Sequence, residues 1–356
     1  MGGCGASEQV VLPPVTVDAN ATRVEWDAFV ADAPDATFFH SAAWRDVLEG
    51  AFGFRSHFLA ARRGRRIVGV LPLCELRPPF GRPRLLSLPF AVEAGISAAE
   101  DDARLALEAS AVDLSRAIGA CYLELRDGTG GDGFRSRGDV FCRFRRTLGA
   151  SDEDDLARVP RKRRRMIRLA QSAGLRAEVG HDIGEFHALY ARSQRRLGIP
   201  LLPREYFAAL DRHFGADCIV LTVRRGSSPI ASVFSFLFRD AIYPYYAGSH
   251  ESYLSLGNND FLYWELMRWA RARGLRRFDF GRSRRGSGAY DYKRHWGFEA
   301  EPLHYRIRSF GETSPNRRTV DDAGIRLLRW GWRRLPLGVT KGIGPFLARR
   351  FAPYFT

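Results

Sequence analysis

The stretch "DCIVLTVRRGSSPIASVFSFLFRDAIYPYYAGS", residues 217–249, decides the fold. It is made of short apolar runs rich in Val, Ile, Phe and Tyr, side chains that suit a pleated surface. Polar interruptions at Arg225–Pro229 and Arg239–Asp240 cut it into three consecutive antiparallel strands. Downstream, "NNDFLYWELMRWARARG" reads as a helix, capped by Asn259 or Asp260 and ended by Gly274, and "LRRFDFG" as one more strand. Upstream lie a strand, "LRAEVG", and two helices, "DIGEFHALYARSQRRLG" and "REYFAALDRHFG". The first of these helices sets Ile183, Phe186, Leu189 and Tyr190 on one face.

The first half follows the same plan. Short helices over "VEWDAFVADAP" and "ATFFHSAAWRDVLEGAFGF" precede two strands in "RSHFLAARRGRRIVGVLPLCEL", joined at Gly64, and a third in "RPRLLSLPF". An amphipathic helix, "AEDDARLALEASAVDLSRAIGA", leads to the strand "CYLELRD", and "VFCRFRRTL" closes the first unit near residue 149. Helix, antiparallel strands, helix, strand is the order of a GNAT-like acyltransferase half. The expected fold class is therefore α/β (α+β): two tandem GNAT-like domains with mixed, largely antiparallel sheets, plus a C-terminal helical tail. The expected boundaries are a disordered start over 1–20, a first domain over 21–150, a second over 151–312 carrying the cleft, and a basic amphipathic tail over 313–356. The tail reads as two short helices broken at Pro336 and around Gly344–Pro345. Its apolar faces pack on the body, or dock peripherally on an anionic membrane.

The chain has 356 residues, with 55 Lys and Arg against 40 Asp and Glu, a formal charge of +15. Such a field draws polyanions, whether nucleic acid, phosphorylated substrates or anionic lipid, and says nothing about fold. The five cysteines, Cys4, Cys74, Cys121, Cys142 and Cys218, have no metal-ligand or redox spacing and read as free thiols of a reducing compartment. No secretory signal and no membrane-length apolar run is present, so a cytoplasmic location is expected, with peripheral contact at the inner face of the membrane. No metal is expected.

The chemistry concentrates in "FDFGRSRRGSGAYDYKRHWGF", residues 278–298. Its glycine-rich part resembles a phosphate cradle but lacks the G-x-x-x-x-G-K-[ST] of a P-loop. Ser283 stands where a GNAT diphosphate loop has Arg or Gln before Gly286 and Gly288, and no helix is evident behind it. "YDYKRHWGF" sets Tyr290, Tyr292, Lys293, His295 and Trp296 at the end of an inner strand. A lysine among aromatics supplies positive charge where a tetrahedral oxyanion develops. The plain alternative is that the aromatics are core and Lys293 a solvated charge. The run "RKRRR", 161–165, tracks phosphates or is a solvated face balanced by the preceding "DEDD", whose acids read as exposed. No general base stands out.

From about Thr37 onward the chain resembles the FemAB-type acyltransferases. The likeness rests on "FFHSAAWRDVL", "RKRRRMIRLAQSAG", "LYARSQRRLGIPLLPREYF", "YYAGS", "NNDFLYWELM" and "FDFGRSRRGSGAYDYKRHWGFE". With the tail "WRRLPLGVTKGIGPFLARR", it is most similar to the subgroup found with PEP-CTERM/exosortase and exopolysaccharide systems. The resemblance implies transfer of an acyl or aminoacyl group to an amine. Acyl-CoA or aminoacyl-tRNA is the implied co-substrate, with no tightly bound cofactor. The implied partners are an envelope-polymer or nucleotide-sugar precursor, and tRNA. It implies Lys293 and Tyr292 at the reacting ester, Arg196 on the acceptor's phosphates, and Tyr245 and Tyr246 on a cleft-facing strand, with Arg282 and His295 completing the substrate set. After Trp44, Arg45 to Leu48 hold no lysine where the family grips a peptidoglycan precursor, so an exopolysaccharide or other surface polymer is the competing acceptor. The rival function is a non-catalytic basic protein, binding nucleic acid or acting as an envelope-associated scaffold.

Overall fold

The computed structural model describes residues 12–78, 81–128, 130–311 and 323–351. In the first half, β1 (Val15–Asp18), α1 (Arg23–Asp32) and α2 (Ala43–Phe52) precede β2 (Arg55–Arg63), β3 (Arg66–Leu76), β4 (Arg84–Ser87) and β5 (Ser97–Ala98). Then come α3 (Asp101–Ala117), β6 (Tyr122–Leu125), β7 (Arg135–Arg137) and β8 (Phe141–Thr147). The second half opens with α4 (Asp152–Arg158), α5 (Arg161–Ser172), β9 (Arg176–Gly180), α6 (Ile183–Leu197) and α7 (Arg204–Phe214). The quoted stretch forms β10 (Cys218–Arg225), β11 (Ser228–Phe238) and β12 (Ala241–Ser249). After it come α8 (Asn258–Ala272), β13 (Arg277–Arg284), α9 (Gly288–Arg294), β14 (Glu301–Pro302) and β15 (Tyr305–Ser309). Two helices end the chain, α10 (Ala323–Trp332) and α11 (Leu337–Phe351).

Two sheets result, and the halves are built alike. In each, three antiparallel strands, β2-β3-β4 or β10-β11-β12, lead through a helix to a strand parallel to the third. The parallel contact is brief both times: Leu85↔Leu123 and Leu86↔Glu124 join β4 to β6, and Ala241↔Arg277 and Ile242↔Phe278 join β12 to β13. Beyond those pairs the strands part. The tandem GNAT-like architecture, with mixed, largely antiparallel sheets and helices at the C-terminal end, is the observed fold.

Each sheet is completed by a strand from the other half. The strand expected to close the first unit, β8, instead pairs with β13 in the second sheet, and β15 returns to pair with β6 and β7 in the first. Both crossings supply an antiparallel neighbour to the exposed side of a strand whose parallel partner has left it. The halves also share one apolar core. Phe38 stacks on Phe236 with ring centroids 4.8 Å apart, and Trp44 meets Phe214 at 5.4 Å. A second cluster, with Phe144, Trp264, Phe278 and Trp296, fills the opposite face of the second sheet.

Four further expectations are corrected. Residues 1–11 lie outside the described residues, but Val15–Asp18, expected in a disordered start, form an edge strand on β2, tied by Arg62 Nε to Asp18 at 2.9 Å. The expected break at Gly344–Pro345 is absent: α11 runs through it, because Gly344 lies close on Leu201 and holds the helix to the body. Asp155 of the acidic run is fully buried, accepting from the Gly149 N–H at 2.8 Å and pairing with Arg271 at 2.5 Å. The acids of α4 thus neutralise α8, with Asp152 taking Arg268 at 2.8 Å, and leave the basic run of α5 to other partners.

The layers touch most closely where α6 crosses β12. A Cβ on Gly248 would stand 2.2 Å from the Tyr190 backbone nitrogen and 2.4 Å from the Leu189 carbonyl carbon. Gly248→Ala must therefore push helix and sheet apart, and it should cost about 1–3 kcal/mol, read as a lowered urea midpoint at unchanged slope.

Candidate functional site

The site grows from the parting of β12 and β13. Two irregularities widen the fork. In β12, Phe234 pairs with Tyr246 and Ser235 with Pro244, so Tyr245 has no ladder partner. In β13 the register on β8 jumps between Asp279 and Arg282, with Gly281 at φ 66°. Bulges like these bend a strand and leave backbone groups without ladder bonds. Glycine is needed at 281 because few L side chains adopt that φ.

Lys293 answers for the freed carbonyls. The helix α9, capped by the Ser287 hydroxyl accepting from the Tyr290 N–H, lays Lys293 across β13. Its Nζ donates to the carbonyls of Phe280 at 2.6 Å and Arg282 at 3.0 Å, with Gly281 at 3.4 Å. The ammonium sits between the rings of Phe144 and Phe280, 5.6 and 5.7 Å from their centroids. Burial pushes its pKa down to about 7, against the pull of Asp279 and with the push of Arg282. Tyr292 turns the other way. Its hydroxyl donates to Asp260 at 3.0 Å, as does Trp296 Nε1 at 3.0 Å, while Arg163 reaches both Asp260 oxygens at 3.2 Å and lies over the Tyr292 ring. Burial, then the Asp260 charge, holds the Tyr292 hydroxyl well above its usual range. The structure thus sets Lys293 at the fork and Tyr292 in a buried anchor that fixes α9 to α8 and α5.

A charged triad lines the opposite side of β13. Asp279 accepts from the Gly281 N–H at 2.8 Å and from Arg143 Nε at 2.7 Å, and Arg143 Nη1 pairs with Glu93 from the first half. Burial raises the Glu93 pKa, partly offset by Arg143. Burial opposes the Arg143 charge, and the two carboxylates outweigh it. Glu93, Asp279, Gly281 and Tyr245 share a narrow pocket that joins, through Thr37, Arg143 and Tyr243, an interdomain cleft of about 470 Å³. Arg126 also lines that cleft. Its side chain is buried, and its Nη2 has no partner among the described residues.

The other sequence-named residues divide. Tyr245 lines the pocket, its hydroxyl donating to the Phe90 carbonyl, and its ring meets that of Tyr246 at 4.9 Å. Tyr246 is closed into the core, with its oxygen 2.8 Å from that of Tyr206. Arg196 stands at the open end of the fork, where Nη2 donates to Ser193 and Ser249 at 3.3 Å each. Arg282 donates to the Tyr305 hydroxyl at 3.1 Å and so ties β13 to the first sheet. His295 is exposed at the end of α9. Sequence reasoning missed Glu93, Arg143 and Asp279. They are far apart in the chain and meet only because β8 crosses between the sheets.

Two local expectations change. A helix does follow the glycine-rich loop, but α9 has only seven residues. The helix α8 begins at Asn258, capped by Gly257 rather than by Asn259 or Asp260. A helix N-terminus is where a diphosphate binds most readily, and α8 begins after the third antiparallel strand of its half. Here it is covered: a Cβ on Gly257 would stand 2.5 Å from the Met166 carbonyl oxygen of α5, and Asp260 places a buried carboxylate in the first turn. The equivalent end of α3 carries Glu100, Asp101 and Asp102. The acids of both ends are paired, Asp260 with Arg163 and Glu100 and Asp102 with Arg63 at 2.5 Å each, so it is the α5 backbone over Gly257 that closes the end of α8 to the diphosphate of coenzyme A.

Residues 157–294 match the acetyltransferase (GNAT) domain family. No curated protein matches the chain. Among solved structures, that of FemX is similar with a TM-score of 0.66 at 15% identity, covering 82% of this chain and 96% of that one. A tandem GNAT protein from the clavulanic acid biosynthesis pathway is similar at 0.52 and 15% identity, over 84% and 100%. L-PGS from Bacillus licheniformis is similar at 0.50 and 12% identity, over 82% and 96%. At such identities the likeness is one of fold. With the domain match it supports an acyltransferase of GNAT type.

The depressed Lys293 pKa has a consequence for stability. Above about pH 10.5, the ordinary lysine value, the amine is neutral folded or unfolded. Between there and about 7 the unfolded chain holds a proton that the folded chain lacks, so this group's destabilising effect grows as pH falls, and it is complete below 7. Lys293→Met should therefore flatten the rise in stability from pH 7 toward pH 10, read as thermal midpoints across that range.

Proposed function

We propose that the protein transfers an aminoacyl or acyl group from an ester to an amine on a cell-envelope or exopolysaccharide precursor, with the ester carbonyl at the β12–β13 fork. The observation that carries this reading is Lys293: an ammonium holding carbonyls that have left the strand ladder, with a pKa near neutrality. A donor carbonyl entering the fork takes over one of its three N–H bonds. The acceptor nitrogen attacks the carbonyl carbon, a C–N bond forms, and the oxygen gathers negative charge beside Nζ. Collapse breaks the C–O bond and the leaving oxygen takes up a proton, giving an amide and a free hydroxyl.

Glu93 is the group we assign to receive the proton lost by the amine. It lies in the pocket on the other side of Gly281, half-buried beside Arg143, where burial raises its proton affinity above that of an ordinary carboxylate. Arg196 holds an acceptor phosphate at the mouth of the fork. The covered end of α8 favours an aminoacyl ester on tRNA over acyl-CoA, and the formal charge of +15 suits such a polyanion.

The test is transfer of labelled amino acid from charged tRNA, run beside labelled acetyl-CoA, to an amine-bearing precursor. Lys293→Ala should lower kcat by about 10²–10³-fold with the fold retained by circular dichroism, and wild-type turnover in that variant would remove the assignment. Glu93→Gln should lose about 10²-fold in kcat and flatten the acidic limb of the pH–rate profile, whereas Arg196→Ala should raise KM for the precursor with kcat little changed.

A further inference from the structure

The last two helices dock around the C-terminal end of α6. Arg329 Nη2 donates to the Leu197 carbonyl at 2.9 Å, Arg195 Nε to that of Leu335 at 2.8 Å, and Arg349 Nε to that of Ala51 at 3.1 Å. Along α11 the inward row is Thr340, Gly344 and Ala348, one residue per turn and all buried. A different row, Val339, Ile343 and Phe346, ends in Arg350 and stays in water, at 43%, 44% and 64% exposure for its apolar members. On α10, Leu327, Leu328 and Trp330 are 67%, 74% and 55% exposed. Among the described residues, these six make up nearly half of the thirteen exposed large apolar side chains, in a small fraction of the chain.

The charge of the same segment is one-sided. Residues 323–351 hold seven Lys and Arg and no Asp or Glu. Arg329, Arg333 and Arg334 donate to carbonyls, which bring no countercharge, and Arg334 also stacks 3.5 Å over the Trp330 ring. The contact recorded with an acid is Arg349 to Glu205, at 3.9 Å. Exposed leucine, tryptophan and phenylalanine flanked by an excess of cations is the chemistry of a surface that lies in the plane of a lipid interface. Apolar tips enter below the headgroups, and the long basic side chains meet their phosphates.

We propose that α10 and α11 form a peripheral docking surface for an anionic lipid bilayer. No helix among the described residues is long and apolar enough to cross a membrane, so the contact is with one leaflet. It does not depend on the transfer chemistry. Charge favours a bilayer over a protein partner: a phosphate plane answers Lys341, Arg333, Arg334 and Arg350 together, with no pattern of matching acids.

The test is co-sedimentation of the full chain with vesicles of phosphatidylglycerol and phosphatidylcholine in equal parts, against phosphatidylcholine alone. The protein should pellet with the first, much less with the second, and detach as salt rises. Lys341→Gln with Arg350→Gln should weaken binding about tenfold to thirtyfold, and Trp330→Glu with Phe346→Glu at least as much, at unchanged thermal midpoint. If the glutamate variant unfolds, the salt and lipid dependence of the wild type still decides. Equal binding to both vesicles, or none, overturns the proposal. So does a vesicle-free dimer that the glutamate pair dissolves, which would assign the patch to a second copy of the chain.

Discussion

Two parallel strands that pair for two residues and then part leave backbone N–H and C=O groups with no neighbour. Much of the second half follows from supplying those groups. A buried peptide group without a partner costs on the order of 1–3 kcal/mol, so a fork this deep persists only if something fills it. The far edge of β13 is held by a strand, β8, taken from the first half, and in the fork itself the filler is side chains. On one face it is Lys293, which spans three carbonyls. On the other it is Asp279, which binds the Gly281 N–H and carries the charge link through Arg143 to Glu93. Each of these also brings a charged group to where a carbonyl substrate would enter.

The order of elements was legible because it rests on local periodicity. The three strands over 217–249, the helix behind them and the amphipathic α3 all carry their pattern within one window of sequence. The exchange of β8 and β15 was not legible. Both are short and basic, and nothing within "VFCRFRRTL" says which of two similar sheets needs an edge. The site divides along the same line. Lys293 is visible in a compact motif at the end of a strand. Glu93 sits in an irregular segment, and its importance arises only from burial beside an arginine 50 residues away. The acidic run of α4 misled because its balancing charges are on α8, more than a hundred residues on.

The N-terminus of α8 shows how one substitution of partners changes what a fold can hold. A helix end offers free N–H groups and a partial positive charge, which attract an anion. Here the anion is internal. Asp260 lies in the first turn, and it gathers Arg163, Tyr292 and Trp296 around it. The same cluster fixes α5 over the helix end and sets α9 at the angle from which Lys293 reaches β13. Burial raises the Asp260 pKa, and its three donors pull it back, so the carboxylate is held by hydrogen bonds rather than by water. Anchoring the lysine and closing the diphosphate position are therefore one structural decision.

The first half contains the same fork, and comparison with it bears on the proposal that transfer takes place at the second. Where β4 and β6 part, the cation is Arg126, which donates to the carbonyls of Leu88 and Ala91 and, at 3.0 Å, to the buried carboxylate of Glu124. A guanidinium does not give up its proton at any pH the folded chain meets, and a direct carboxylate partner neutralises its field. That fork is sealed by a permanent ion pair. In the second half the cation is a lysine with no carboxylate in contact among the described residues, its ammonium is destabilised by burial, and its bonds are to neutral carbonyls. Such a group has more to gain from an incoming negative charge than from the partners it already has. The two halves thus hold like forks filled by unlike cations, and that difference is what the proposed transfer at the second fork rests on.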